Sequence, residues 1–294
     1  MNKINEIKTL ISSTDKVVVI EDENTTYINC EDLIKENKIV LDNLDLKVFY
    51  ILSKDFKLDY ELKNTSTLTE VFYEVKNNSS ITQNYDIDPM SNCNIIEVLK
   101  NSFDRKTLTN VGSGAYLKVD NLYINDDSAN VDVFIDIKEE NANVEVNNVI
   151  ISLSGKTSNY NLNTKHNTPQ STSQMITYAV SKNSSVLNVN TNGIIVKGAS
   201  KTNLNQKTKG IILDSTSQIS ANPILEIDEY DVIASHGASI GAIDDEELYY
   251  LMSRGLKKEV SEKLIIGGLI YPFLNAISSQ NIKEYVSSVI AQTL

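Results

Sequence analysis

Tryptophan is absent from the 294 residues, and cysteine and histidine occur only twice each. Cys30 and Cys93 stand far apart and form no C-x-x-C pair, so they make no disulfide framework and too few ligands for a self-sufficient zinc or iron–sulfur site. Both read as ordinary thiols, buried or at the surface. His166 and His236 are equally separated and leave little material for a histidine-based triad. No G-x-x-x-x-G-K-[ST] run offers a phosphate loop, and no G-x-S-x-G offers a nucleophile elbow. Only 4 prolines interrupt the chain, so backbone pairing meets few forced breaks. Long apolar runs are missing too. The most apolar late stretch, residues 264–270, falls far short of the roughly 20 residues a membrane helix needs. The first seven residues mix Lys, Asn and Glu with no apolar core behind them, which is not a signal peptide. The cytoplasm is the expected compartment.

Positive charge is also scarce. Lys and Arg number 27 against 39 Asp and Glu, a net charge of −12. An acidic chain repels phosphate backbones and anionic lipid, so neither nucleic acid nor a membrane surface is an expected partner. The 41% hydrophobic and 22% charged content is that of a globular protein with a sizeable core, in one large domain or two smaller ones.

Three regions are expected. Residues 1–43 read as a mixed amino-terminal cap. Ile4, Ile7, Leu10 and Ile11 fall at helical spacing, residues 16–20 read as a strand, and Leu33-Ile34 suits another short helix. Residues 44–241 read as β structure, with alternating strands such as residues 131–137 and 144–146. Residues 95–99 interrupt it as a helix or connecting excursion. From about Val149, small apolar clusters recur every seven to nine residues, with Asn, Gly, Ser, Thr and Lys between them. That spacing is too short for βαβ units. A meander of tight hairpins is disfavoured because Asn192-Gly193 is the one Asn-Gly turn signal. A right-handed parallel β-helix explains the rhythm better, with short strands and polar corners where Asn and Gly tolerate left-handed backbone angles. A β-sandwich with uneven loops is the alternative. Residues 242–294 read as a helical subdomain. Asp244 and Glu247 form a capping-box pattern, Leu248, Leu251 and Met252 make one face, and Gly255 fits a helix stop. A second helix passes through Val260, Leu264 and Ile265 until Pro272 disturbs its end. A third starts near Asn281, with Ile282, Tyr285, Val286, Val289 and Ile290 as its stripe.

The segment Pro223-Ile224-Leu225-Glu226-Ile227, an acidic corner, then Ala234-Ser235-His236-Gly237-Ala238-Ser239, Gly241-Ala242-Ile243-Asp244-Asp245 and Leu248-Tyr249-Tyr250-Leu251-Met252-Ser253-Arg254-Gly255 resembles the carboxy-terminal signature of the SufB/SufD family. Upstream, residues 198–202, Gln206, and His166 with residues 168–173 also fit. The resemblance covers about residues 160–270. The family's Cys before Ser-His is Ala234 here. The reactive Cys of the B-type subunit is replaced by Ile227, and the Glu after its His by Gly237. The chain therefore resembles the D-type branch.

The resemblance implies a non-catalytic scaffold in iron–sulfur cluster assembly. It would pair with a SufB-type subunit and dock a SufC-type ABC ATPase through the carboxy-terminal helices. His236 would be a ligand for iron or a nascent cluster at the subunit seam, since a neutral imidazole suits such metals. Its plain alternative is a residue that closes the β-helix. Glu226 is a weaker candidate ligand or proton carrier, pointing outward from its strand. Tyr249, Tyr250, Arg254 and Gly255 are candidate ATPase contacts, aromatic and Arg side chains being good interface anchors. Packing of at least one tyrosine onto the β-helix is the alternative there. The run Asp244 to Glu247 reads first as helix-dipole complementation, and His166 as a hydrogen-bonding corner residue. No cofactor is expected to stay on this chain alone, beyond a transient cluster at an interface. A homodimeric minimal scaffold bringing two His236 together is the second reading. A β-helical carbohydrate-active or adhesive protein is the third.

Overall fold

Strands of about ten residues, each with one side-chain row facing a shared interior, build the molecule. The computed structural model describes residues 3–22, 24–30, 33–76 and 79–293, so Met1 and Asn2 of the amino-terminal segment lie outside the described residues. Strands alternate between two sheets. Sheet A holds β1 (Lys16–Glu21), β2 (Asn24–Ile28), β5 (Asp45–Leu52), β7 (Thr65–Val75), β9 (Asn92–Lys100), β11 (Tyr116–Asn125), β13 (Asn143–Ser152), β15 (Thr172–Ser181), β17 (Asn203–Ile212) and β19 (Ile233–Gly241). Sheet B holds β3 (Ile34–Lys35), β4 (Lys38–Asp42), β6 (Phe56–Lys63), β8 (Ser80–Ile87), β10 (Phe103–Val111), β12 (Ala129–Ile137), β14 (Thr157–His166), β16 (Val186–Ile195) and β18 (Gln218–Ile227). Every pairing from one coil to the next is parallel, giving a β-solenoid of about 8 turns. The antiparallel pairs β1–β2 and β3–β4 close its amino-terminal end. Parallel pairing already starts at β1 with β5 and β4 with β6, earlier than residue 44.

The rhythm of the sequence belongs to longer strands than expected. The clusters at residues 186–189 and 194–195 lie in the single strand β16, so the short repeat is spacing within a strand. Asn192-Gly193 also sits inside β16, not at a turn. A Cβ at Gly193 would lie 2.7 Å from Leu204 Cδ1 and 3.0 Å from Gln206 Nε2, so the strand needs glycine there for room. Corners are turned chiefly by asparagine. Asn29, Asn37, Asn43, Asn64, Asn101, Asn141 and Asn183 all adopt positive φ, a region that Asn reaches more readily than most residues.

Two expected helices are strands. Ile34-Lys35 pairs with β4, and residues 95–99 lie in β9. The second error has a physical cause. Ile95 and Leu99 face the interior, while Ile96 and Val98 face the carboxy-terminal helices. A strand buried on both sides has no polar alternation to betray it. Helices α3 (Lys258–Ala276) and α4 (Gln280–Thr293), with α1 (Lys3–Thr9), cover this outer face of sheet A. Ile266, Ile270 and Phe273 of α3 and Ile282, Val286 and Ile290 of α4 pack on Phe49, Val98, Leu122 and Val149. Each such side chain contributes about 1.5–3 kcal/mol on burial. Pro272 lies inside α3, which continues to Ala276. The outer face of sheet B stays open and polar. Asparagines ladder across it, Asn130 donating to Asp104 at 2.9 Å, Asn159 to Asn130 at 2.9 Å and Asn188 to Asn159 at 2.9 Å.

Inside the amino-terminal coils lies a charged cluster that the sequence reading missed. Arg105 from β10 donates to Glu97 on β9 at 2.5 Å, and to the Tyr85 hydroxyl at 3.0 Å. Tyr85 donates to Glu70 at 2.6 Å, and Tyr50 and Gln83 donate to its other oxygen. Burial raises the Glu70 carboxyl's pKa, and the Glu97 charge adds to that; Arg105 and the hydroxyl donors oppose it. Removing one partner of a buried pair leaves an uncompensated charge. Arg105→Met is therefore expected to lose about 3–5 kcal/mol in urea unfolding, and Arg105→Met with Glu97→Met to recover much of it.

Candidate functional site

Among the described residues, no element covers the carboxy-terminal end of the solenoid. β19 pairs only with β17, and β18 only with β16, so each is the outer strand of its sheet. One backbone edge of each is left for a further strand. The register fixes which residues of β19 face inward. Ala234 lies on Leu204, His236 on Gln206 and Ala238 on Thr208, and Leu204, Gln206 and Thr208 are buried. His236 thus occupies the inward row of the last coil. It is exposed because no further coil lies over it. The residues beside it are small, and a Cβ on Gly237 would meet nothing within 4 Å. Ile224, Ile227, Ile233 and Ile240 are exposed along the same two strands, Ile233 to 70%.

A recess of about 300 Å³ opens here, lined by Gln206, Thr208, His236 and Ala238 among others. Behind it, Gln206 is 3% exposed and neither end of its amide has a partner; the Thr191 hydroxyl is likewise buried and unpaired. The adjoining corner is held by Glu229, which accepts from the backbone N–H groups of Gly198 and Tyr230, each at 2.9 Å. These donors hold its carboxyl below the usual range.

Glu226 is not brought to His236. It lies on β18 of the opposite sheet, outward as expected, and accepts from Asn192 Nδ2 at 2.7 Å. Among the described residues, no group of three or more His, Cys, Asp or Glu could hold a metal. Any metal on His236 needs donors from a second molecule or a small ligand.

Beyond β19 the chain enters α2 (Asp245–Ser253). Asp244 caps it, its carboxylate accepting from Glu246 N at 2.8 Å and Glu247 N at 3.2 Å. Gly255, at φ +92°, ends it and donates to Met252 O at 2.9 Å. α2 buries no residue. Tyr249 and Tyr250 are 75% and 56% exposed, so neither packs the helix onto the solenoid. The Arg254 guanidinium lies 5.2 Å from the Tyr250 ring centroid, an attractive cation–π geometry. Between β19, the start of α2 and α3 runs a groove of about 610 Å³ lined by Ile240, Ile243, Leu264 and Leu269 among others.

The remaining rare residues lie away from the solenoid mouth. Cys93 is buried, and burial pushes its thiol up to about 11. Cys30 is half-buried and donates to Val17 O at 3.2 Å. His166 is buried inside β14, its ring nitrogens 2.7 Å from the hydroxyls of Ser171 and Ser173. Burial lowers its pKa to about 4.

Residues 89–269 match the family described as SUF system FeS cluster assembly, SufBD core domain. The chain belongs to this SufBD family. Its curated relatives include the iron–sulfur cluster assembly protein SufD of Bacillus subtilis, 38% identical over 142 residues, which is 48% of this chain and 32% of that protein. SufD of Escherichia coli is 32% identical over 105 residues, 35% of this chain and 25% of that protein. A SufBD family protein of Pyrococcus horikoshii is 38% identical over 96 residues, 32% of this chain and 21% of its own length. The matched stretch thus spans a third or less of each of these three relatives. No helix among the described residues is long and apolar enough to cross a membrane.

A buried neutral histidine, His166, is expected to make this SufBD solenoid acid-sensitive. With a folded pKa near 4 and an unfolded value near 6.5, the unfolded chain takes up the proton first. Stability is complete above pH 6.5 and falls as pH drops toward 4, by about 3 kcal/mol in all. Urea midpoints measured from pH 7 to 4 should show this slope, and His166→Gln should flatten it.

Proposed function

We propose that this chain is a SufD-like scaffold subunit that presents His236 to a SufB-type subunit across the open end of the solenoid. The supporting observation is that the last coil leaves an imidazole in its inward row, with unpaired strand edges and exposed isoleucines on either side. A partner strand added to β18 or β19 would satisfy their backbone groups and cover Ile224, Ile227, Ile233 and Ile240, in the manner of edge-strand addition. The nascent iron–sulfur cluster is the cargo at this seam. His236 would give one nitrogen donor, and the partner the thiolate that Ala234 and Ile227 do not offer. The role is positional and calls for no catalytic group of this chain.

The α2 surface is the proposed dock for a SufC-type ABC ATPase. Tyr249, Tyr250 and Arg254 stand exposed on a helix that ends at Gly255, the side-chain types that anchor interfaces. ATP-driven motion of the motor would then reach the seam through α2 and the strand directly before it. Residues 242–294 are in this reading the motor-facing unit, and the solenoid before them the partner-facing unit.

In the homodimeric reading, two copies meet by the same end and place two His236 at one seam. The carbohydrate reading finds less support, because Asp104 on the exposed sheet is engaged in an asparagine ladder and not in a paired-carboxylate site.

Co-expression with a SufB-type subunit and the ATPase tests these assignments. His236→Ala should keep the complex by size-exclusion chromatography and lose cluster formation by visible absorbance; a full cluster yield would remove His236 from the site. Ile233→Asp should weaken subunit pairing by at least tenfold while leaving the folded chain intact by circular dichroism. Tyr250→Ala with Arg254→Ala should weaken ATPase binding by tenfold or more, about 1.4 kcal/mol or above, without changing pairing with the SufB-type subunit.

A further inference from the structure

Gln206 has both polar atoms of its side chain buried without a partner, and the fold leaves them unexplained. A buried amide without hydrogen bonds costs on the order of 1–3 kcal/mol, and most buried polar side chains avoid that cost. Gln206 has neither its oxygen nor its nitrogen satisfied at 3% exposure. Its neighbours across the lumen do not serve it. A Cβ at Gly193 would stand only 3.0 Å from Gln206 Nε2, so glycine there makes room for the amide but offers it no side chain. The Thr191 hydroxyl is also unpaired. The coil beneath offers Met175 in the same inward row, which is apolar.

The coil above offers His236. Gln206 and His236 are register partners on adjacent parallel strands, both in the inward row, and both line the recess at the solenoid mouth. Strands in a sheet stand about 4.8 Å apart, and rotation about the Gln side-chain bonds lets the amide reach the ring edge of a His in that place. We infer that Gln206 is a positioning residue for His236: its Oε1 accepts the N–H of one ring nitrogen, fixes the tautomer, and leaves the lone pair of the other nitrogen facing out of the mouth. The inference rests on the ligand role proposed for His236, and it supplies that role with what a ligating imidazole usually has, a hydrogen-bond acceptor for its second nitrogen. An amide suits the place better than a carboxylate. It accepts the hydrogen bond without adding a charge to a buried site. It also gives a role to a buried amide that, unlike Asn148 one row away, has no hydrogen-bond partner of its own.

The histidine count makes the test direct. In the full chain with nitrogen-15 in histidine only, long-range proton–nitrogen spectra at pH 8 contain two imidazoles, and His236→Gln identifies the one lost. The wild-type His236 should show one predominant tautomer. Gln206→Leu and Gln206→Met should both move its ring nitrogens to the averaged shifts of free imidazole, and Gln206→Glu, which retains an acceptor oxygen, should restore a fixed tautomer. The His166 signals, held by Ser171 and Ser173, report that each variant is folded. Unchanged His236 shifts in a folded Leu or Met variant overturn the inference. A second readout separates it from the ligand role. In the assembled complex, Gln206→Leu should lower cluster yield several-fold and Gln206→Glu should recover it. If His236→Ala leaves the yield intact, the ligand role fails, while the tautomer result still decides whether Gln206 orients the ring.

Discussion

Backbone pairing between successive coils is the interaction on which this protein depends. Each strand donates and accepts along its whole length to the coil before and the coil after, because unpaired backbone groups are costly once buried. That requirement sets the register, and the register stacks equivalent positions into rows. A row is a shared environment. On the inside it runs Val146, Met175, Gln206, His236 through sheet A. On the outside of sheet B it makes asparagine ladders, each amide handing its hydrogen bond to the coil below. The chemistry of any one side chain is therefore set largely by its neighbours one coil away, some 21 to 32 residues distant in sequence.

The same constraint makes the ends of a solenoid the places where backbone groups are left unpaired. The amino-terminal end is closed by two antiparallel hairpins. Among the described residues nothing covers the carboxy-terminal end, which leaves an imidazole, four exposed isoleucines and two unpaired edges. α3 and α4 do not cover this mouth. They lie along the flank of sheet A, reaching back to α1 and to a stack between Tyr73 and Tyr285. Flank cover and open end together leave two strand edges and four isoleucines exposed at one place. The interior changes along the axis as well. The amino-terminal coils hold Glu70, Glu97 and Arg105, whereas the later ones carry Asn148, Thr177, Thr191 and Gln206. Charge is kept where the core is deepest, and neutral polar groups approach the mouth.

How far the sequence could be read depended on whether a segment is buried on one face or two. Residues 131–137 alternate because the outer face of sheet B meets water, and they were legible as a strand. Residues 95–99 were not, because helices cover their second face. The helical tail was legible almost throughout, since Asp244, Gly255 and the stripe of α4 are local signals. Glu97 within Ile-Ile-Glu-Val-Leu was a visible clue to a buried ion pair, but Arg105, its partner, reaches it from the opposite sheet. His236 stood out through its rarity and its surrounding motif. Gln206 was visible only as part of that motif, because its significance lies in the residue stacked above it.

By itself the sequence determined the kind of architecture, the corners turned by asparagine, the capped helices, the SufBD resemblance and the rarity of histidine. All of these rest on local backbone preference or on residue type. The tertiary structure alone decided that each coil has two long strands, that Glu226 and His236 belong to different sheets, that both tyrosines of α2 face outward, and that a buried glutamine waits beneath the histidine. Those facts depend on register between coils, and register is set by the whole stack of pairings and not by any one stretch of chain.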